Sequence, residues 1–292
     1  MESQFETLKA APLVEIEYVE LEVRDSLAAI IRLNRPDSLN ALNWEMVMAV
    51  GEALDEVEGN PRVRAVLITG RGRAFSAGGD LKAYVGLQED PIDFGQFVDD
   101  FHATFGRIKF MPMPVVALVN GICVAGGLEL LLNCDFAYMA DTASIGDCHL
   151  NFGQIGGGGV LALLPRIIGP ARARELSFSG RRLSAQECWD WQLVNRVVPA
   201  DELIEAGLGF ARLAAAKSGL GVSAAKYVMN AGWSDGVGLV DSLRLERERN
   251  VLYCVTAPDA REGLAAFGEK RTPEYPVRRG PQRPGANGSG TG

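Results

Sequence analysis

The sequence predicts an α/β fold that gives way to a helical C-terminal region, and three observations carry the prediction. Up to about Pro199, short strand-like apolar runs alternate with segments of helical period. One of those runs, "RAVLITG", is continuously apolar and closed by glycine, the pattern of a buried strand. Beyond Pro199 the strand-like runs stop and only helical patterns follow.

In chain order, Val14–Val19 and Ala28–Leu33 read as paired strands. Asn43–Val57 sets Trp44, Val47, Met48, Leu54 and Val57 at roughly helical spacing. Strands follow at Arg64–Gly70 and Pro114–Gly121. "NGICVAGGLELLLNCD", Asn120 to Asp135, then opens an apolar helix on the glycine pair Gly126–Gly127 and places Glu129 inside it. An apolar run rarely carries a carboxylate without a partner or a purpose. Asp135–Ala140 is the next strand. "DELIEAGLGFARLAAAK", "VSAAKYVMNAG" and "GLVDSLRLERERNVLYCV" are helical, and "APDAREGLAAFGEK" is a further short helix. The expected organisation is a core over residues 1–199, a helical region over 200–275 and a disordered Pro-, Gly- and Arg-rich tail over 276–292. No internal sequence repeat is visible.

The 292 residues are enough for a large core, and 47% apolar with 23% charged residues is an ordinary globular composition. No stretch approaches 18 apolar residues, so no membrane span is expected. The N-terminus carries acids early and lacks an apolar core of signal-peptide length, so no secretion signal is expected. The 5 cysteines are scattered with no C-x-x-C pair, which argues against a disulfide framework or a zinc site and fits a reducing cytoplasm. A net charge of −8 argues against a nucleic-acid-binding face. A small anionic ligand remains compatible with it where positive charge is local.

Two glycine pairs are candidates for chemistry. "GRAFSAGGDLKAY" (Gly72–Tyr84) follows a strand, and Gly126–Gly127 opens the helix of Glu129. Glycine turns let a ligand approach the backbone, and a helix N-terminus exposes unpaired N–H groups. Two such N–H groups from separate turns would form an oxyanion hole. Either pair alone is weak evidence and reads more simply as a tight turn. Other glycine motifs fail. "GICVAGGL" has Gly127 and Leu128 where a phosphate loop requires Lys-Ser/Thr. No G-x-G-x-x-G follows the first strand, "AFSAGG" lacks the glycine before Ser76 of a nucleophile elbow, and H-E-x-x-H is absent.

Taken together, "LNRPDSLNAL" (33–42), "AFSAGGDLK" (74–82), "PVVALVNGICVAGGLELLLNCDFAYMA" (114–140), "LSAQECWDWQLVNRVVP" (183–199) and "APDAREGLAAFGEKR" (257–271) resemble the crotonase family, the enoyl-CoA hydratase/isomerase superfamily. The resemblance covers about residues 14–275. It implies a crotonase-like spiral of ββα units with a C-terminal helical trimerisation region, assembled as a homotrimer or as a homohexamer built from two trimers. It implies an acyl-CoA thioester as ligand, with coenzyme A part of the substrate and no separate cofactor or metal. It maps the two thioester-oxygen donors to the N–H groups of Gly79 and Gly126. It lays Ala77, Asp80, Leu81 and Lys82 along the CoA, with Phe267 and Lys270 holding CoA from a neighbouring subunit. It also puts His102 in a region that lines the acyl pocket.

Glu129 matches the first of the two glutamates that bracket a water in hydratases of the family. Where the second is expected stands His149, and Gly156 replaces the usual proline of the following glycine loop. A histidine titrates near neutral pH and suits acid/base work, so a Glu129–His149 pair is a candidate for taking a proton from water and delivering one at Cα. The bland alternatives are that His149 fills space and that Glu129 favours a helix dipole. Asp147 is near enough to His149 to orient it or simply to solvate a loop, and the loop reading is preferred. Cys148 would face away from His149 on an extended segment. The leading expectation is an enoyl-CoA hydratase. The rivals are an isomerase or a C–C bond hydrolase of a β-dicarbonyl substrate in the same fold, and a non-catalytic CoA-thioester binder.

Overall fold

The computed structural model describes residues 11–234 and 236–276. The proposed tail at 276–292 therefore lies outside the described residues apart from Pro276, as does the N-terminal stretch before residue 11.

Strands β1 (Val14–Glu20) and β2 (Leu27–Leu33) form the expected pair, and the pairing is antiparallel. α1 (Trp44–Gly59) follows, its N-terminus capped by the Asn43 side chain accepting from Met46 N–H at 3.1 Å. Its buried face is Met46, Val47, Val50, Ala53, Leu54 and Val57. Met48, named above among the residues at helical spacing, is exposed, because the helix turns it away from the sheet.

A repeating unit then builds the spiral. β3 (Val63–Gly70) runs in a large sheet, β4 (Ala74–Ser76) turns into a small one, and α2 (Leu81–Leu87) and α3 (Pro91–Gly106) close the turn. β5 (Val115–Val119), β6 (Ile122–Val124) and α4 (Gly126–Asn133) repeat it. β7 (Phe136–Ala140) and β8 (Ser144–Gly146) begin a third turn, which continues into α5 (Val160–Ile168) and α6 (Pro170–Ser179). β9 (Leu183–Ser184), α7 (Ala185–Asp190) and β10 (Arg196–Val198) complete it. The large sheet has the order β1-β2-β3-β5-β7-β10 and the small one β4-β6-β8-β9. Parallel pairing dominates, and β3 and β5 are buried along their whole length, as strands covered on both faces are.

Helices α8 (Leu203–Ala215), α9 (Gly219–Ser234), α10 (Leu239–Thr256) and α11 (Pro258–Glu269) form the C-terminal region. α9 is pinned to the core by Lys226, whose ammonium donates to the Ile108 and Met113 carbonyls and, at 2.7 Å, to Asp135. α10 buries none of its residues and exposes Leu239, Val240, Leu243, Val251, Leu252 and Val255. No helix among the described residues is long and apolar enough to cross a membrane.

Candidate active site

The parallel pairing of β4 with β6 brings the two glycine turns together at the ends of those strands. Beyond β4, the Ser76 hydroxyl donates to the Asn40 carbonyl at 2.8 Å and accepts from Gly78 N–H at 3.1 Å. Leu42 then brackets Gly79: its N–H donates to the Gly78 carbonyl at 2.7 Å, and its carbonyl accepts from Asp80 N–H at 3.0 Å. The Gly79 N–H is left without a partner among the described residues. Beyond β6, Ala125 takes φ 51° and ψ −120°, a strained conformation for a residue with a side chain, and α4 starts at Gly126. As the first helical residue, Gly126 has no intrahelical acceptor for its N–H.

The two turns touch. Gly78 has φ 86°, and a Cβ on it would lie 3.0 Å from the Gly126 nitrogen. A Cβ on Gly126 would lie 3.5 Å from the Gly79 nitrogen. Two N–H groups without a partner among the described residues thus lie close together at the ends of adjacent strands.

One turn along α4, Glu129 is buried at 3% exposure. Its Oε1 accepts from Gly158 N–H at 2.6 Å and Val160 N–H at 3.4 Å. Its Oε2 lies 3.8 Å from His149 Nε2, too far for a direct hydrogen bond. Burial pushes the Glu129 carboxyl above its usual range, against the opposing pull of His149 and the two N–H donors.

His149 is held from its other side. Its Nδ1 meets the Asp147 carboxylate at 2.5 Å. Asp147 is 2% exposed, so it is no solvated loop residue, contrary to the sequence expectation; the chain folds inward after β8 and buries it under the imidazole. Burial drives the Asp147 carboxyl up, but hydrogen bonds from His149 and Ser177 together outweigh it and hold the group below the usual carboxylate range. A carboxylate on Nδ1 fixes the tautomer and turns Nε2 toward Glu129. The D-x-H spacing was the available signal for this pair. Cys148 is left-handed at φ 59° rather than extended, and its thiol faces the Gly180 carbonyl, so no Cys–His pair forms.

The glycine run after His149 is shaped by Glu129. A Cβ on Gly156 would lie 2.9 Å from Oε1, and one on Gly158 would lie 2.8 Å from Oε2 and overlap the Phe101 ring. Asn133 ties the loop down by donating to the carbonyls of Glu129 and, at 3.4 Å, Gly158. The wall opposite comes from α3, where Phe97 and Phe101 are buried and Val98 lies near Gly157. His102 is exposed: it faces away from this wall, and Phe101, one residue earlier, takes the place expected for it. Tyr84 of α2 packs edge-on against Phe94 and Phe97 and sets its hydroxyl beside Gly79.

Of the expected CoA contacts, Ala77 is half-buried and donates its N–H to the Leu39 carbonyl. Asp80 is engaged within the fold, capping α2 through Lys82 and Ala83 N–H and pairing with Arg35 at 2.9 Å. Leu81 and Lys82 present exposed side chains at the start of α2. Phe267 (83% exposed) and Lys270 lie at the outer end of α11, where neither belongs to this chain's own glycine cradle. Among the described residues no cluster of His, Cys, Asp and Glu could hold a metal ion.

The chain matches the family described as enoyl-CoA hydratase/isomerase over residues 23–278. It is 36% identical over 256 residues to a Mycobacterium tuberculosis protein described as "Probable enoyl-CoA hydratase echA8", covering 87% of this chain and 96% of that one. It is 31% identical over 261 residues to a crotonyl-CoA hydratase of Syntrophomonas wolfei, covering 89% and 98%. The crystal structure of an enoyl-CoA hydratase from Bacillus anthracis superposes with a TM-score of 0.83 at 34% identity, covering 91% of this chain and 100% of that one.

Proposed function

The chain belongs to the enoyl-CoA hydratase/isomerase family, and from that membership we propose that it adds water across the double bond of a 2-enoyl-CoA. The observation that carries this is the placement of Glu129 Oε2 and His149 Nε2 3.8 Å apart, one helical turn from two free glycine N–H groups. The Gly79 and Gly126 N–H groups receive the thioester oxygen. Negative charge builds there as the enolate forms, so the donors stabilise the transition state more than the ground state. Glu129, whose Oε1 is occupied by Gly158 and Val160, accepts a proton from water at Oε2 while the water oxygen bonds to Cβ. His149, its Nδ1 held by Asp147, delivers a proton from Nε2 to Cα. The proton on Glu129 then returns to His149, and the balance is one water added. Hydration of crotonyl-CoA and longer or aryl enoyl-CoAs, followed by loss of the conjugated thioester absorbance, tests this. If no 2-enoyl-CoA turns over while CoA thioesters bind, the hydratase assignment is wrong.

The Asp147–His149 pair also favours a second reaction, in which His149 activates water against a β-dicarbonyl carbon and a C–C bond breaks. Hydrolysis of a β-keto-CoA or cyclic β-diketone, lost in His149→Ala, would select it. The uncovered apolar residues of α10 support assembly through the C-terminal helices as a trimer or hexamer, which would bring Phe267 and Lys270 to a neighbouring CoA. The free cysteines support a cytoplasmic location.

A further inference from the structure

Gly79 has an ordinary φ, so its backbone does not demand glycine. What a side chain there would strike is Tyr84: a Cβ on Gly79 would lie 2.6 Å from both the hydroxyl oxygen and Cζ of that residue. The missing side chain therefore makes room for one particular hydroxyl at the edge of the glycine cradle.

Tyr84 is held firmly in that position. Its ring packs edge-on between Phe94 and Phe97, with centroids 6.0 and 5.4 Å away. α2, which carries it, is anchored at its start by the Asp80 cap and the Arg35–Asp80 pair. The hydroxyl has no hydrogen-bond partner among the described residues, although the ring around it is largely enclosed. A phenol in such a place normally finds a partner, and here it lies against Gly79 with Glu129 and Asp80 as the charged groups acting on it. Burial, then the charges of Glu129 and Asp80, hold its proton on well above the usual tyrosine range, so it stays a donor at working pH.

We propose that the Tyr84 hydroxyl is a third donor to the thioester oxygen, beside the N–H groups of Gly79 and Gly126, and that Gly79 lacks a side chain in order to admit it. This rests on the thioester-enolate function proposed above. It adds a side-chain donor to a hole otherwise made of backbone. It also couples two positions that are five apart in sequence, so an alanine at 79 keeps its N–H yet expels the phenol.

Tyr84→Phe removes the oxygen and keeps the ring packing. It should lower kcat for crotonyl-CoA by about tenfold or more, toward the 10²–10³ typical of a lost oxyanion donor. A wall residue could give the same loss, so the deciding readout is acetoacetyl-CoA, whose bound enolate has its own near-ultraviolet band. Wild type should hold this ligand as the enolate. The variant should hold about tenfold less enolate at the same pH, while the affinity for butyryl-CoA, which forms no enolate, moves less than threefold. Gly79→Ala should cost activity in wild type but about tenfold less in a Tyr84→Ala background, where nothing is left to collide with the new methyl. An equal enolate band in wild type and Tyr84→Phe would overturn the proposal and leave the thioester function standing. Failure of wild type to bind any CoA thioester would overturn both.

Discussion

The two ends of the site are built from different materials. At one end stand backbone N–H groups of Gly79 and Gly126, fixed by the pairing of β4 with β6 and by the Leu42 bridge to Gly79. At the other stand side chains, Glu129, Asp147 and His149, fixed by burial and by a glycine loop that closes on the carboxylate. The backbone end sits at the positions the resemblance implies, and the side-chain end has His149 where that resemblance implies a second glutamate. Donors that belong to the topology persist while the fold persists. The proton-handling end is free to change, because one side chain can replace another without moving a strand.

The largest effect separating the two ends should come from Glu129→Gln. The amide keeps the shape and can still accept from Gly158, but it cannot take a proton. The kcat for hydration should fall by about 10²–10⁴-fold, with KM for the thioester nearly unchanged because the backbone donors remain. A KM rise with kcat preserved would place the two ends in the wrong roles. Next comes Gly158→Ala. Its methyl would press on Glu129 Oε2 and the Phe101 ring, so the loop or the carboxylate must shift. Activity should drop by more than tenfold, with about 1–3 kcal/mol of stability lost in a melting experiment.

Asp147→Asn should cost about 10–100-fold in kcat/KM, a part of what a positioned acid supplies. An unchanged kcat/KM would reduce Asp147 to packing. The smallest effect is one of stability. Burial raises the Glu129 carboxyl, so its charged form opposes folding above that raised value. Below about pH 4.3, the usual glutamate value, folded and unfolded chains are both protonated and the penalty vanishes. Glu129→Gln should therefore melt higher than wild type at pH 8, and the gain should disappear near pH 4.

The same division governs what the sequence reveals. Strands β2, β3, β5 and β7 are legible as apolar runs, and the catalytic-looking helix is legible from Gly126–Gly127 and Glu129. The small sheet is not, because β4, β6 and β8 are only three residues each, too short for a period to register. Asp147 looks like a loop acid because polar residues on a turn look solvated until the turn folds inward. Gly156 and Gly158 leave room for the Glu129 carboxylate, a partner distant in sequence that the glycine run alone does not name. His102 and Phe101 differ by one helical position, a rotation of about 100°, and a helix's facing cannot be fixed that finely without its neighbours.

The departure at His149 is the crux, and one kinetic comparison addresses it: single-turnover hydration of crotonyl-CoA by wild type and by His149→Ala at saturating substrate. A loss of about 10²–10³-fold in the chemical step, with thioester binding kept within about threefold, is the predicted result. A wild-type rate in the variant would contradict the account and leave Glu129 to handle both protons alone.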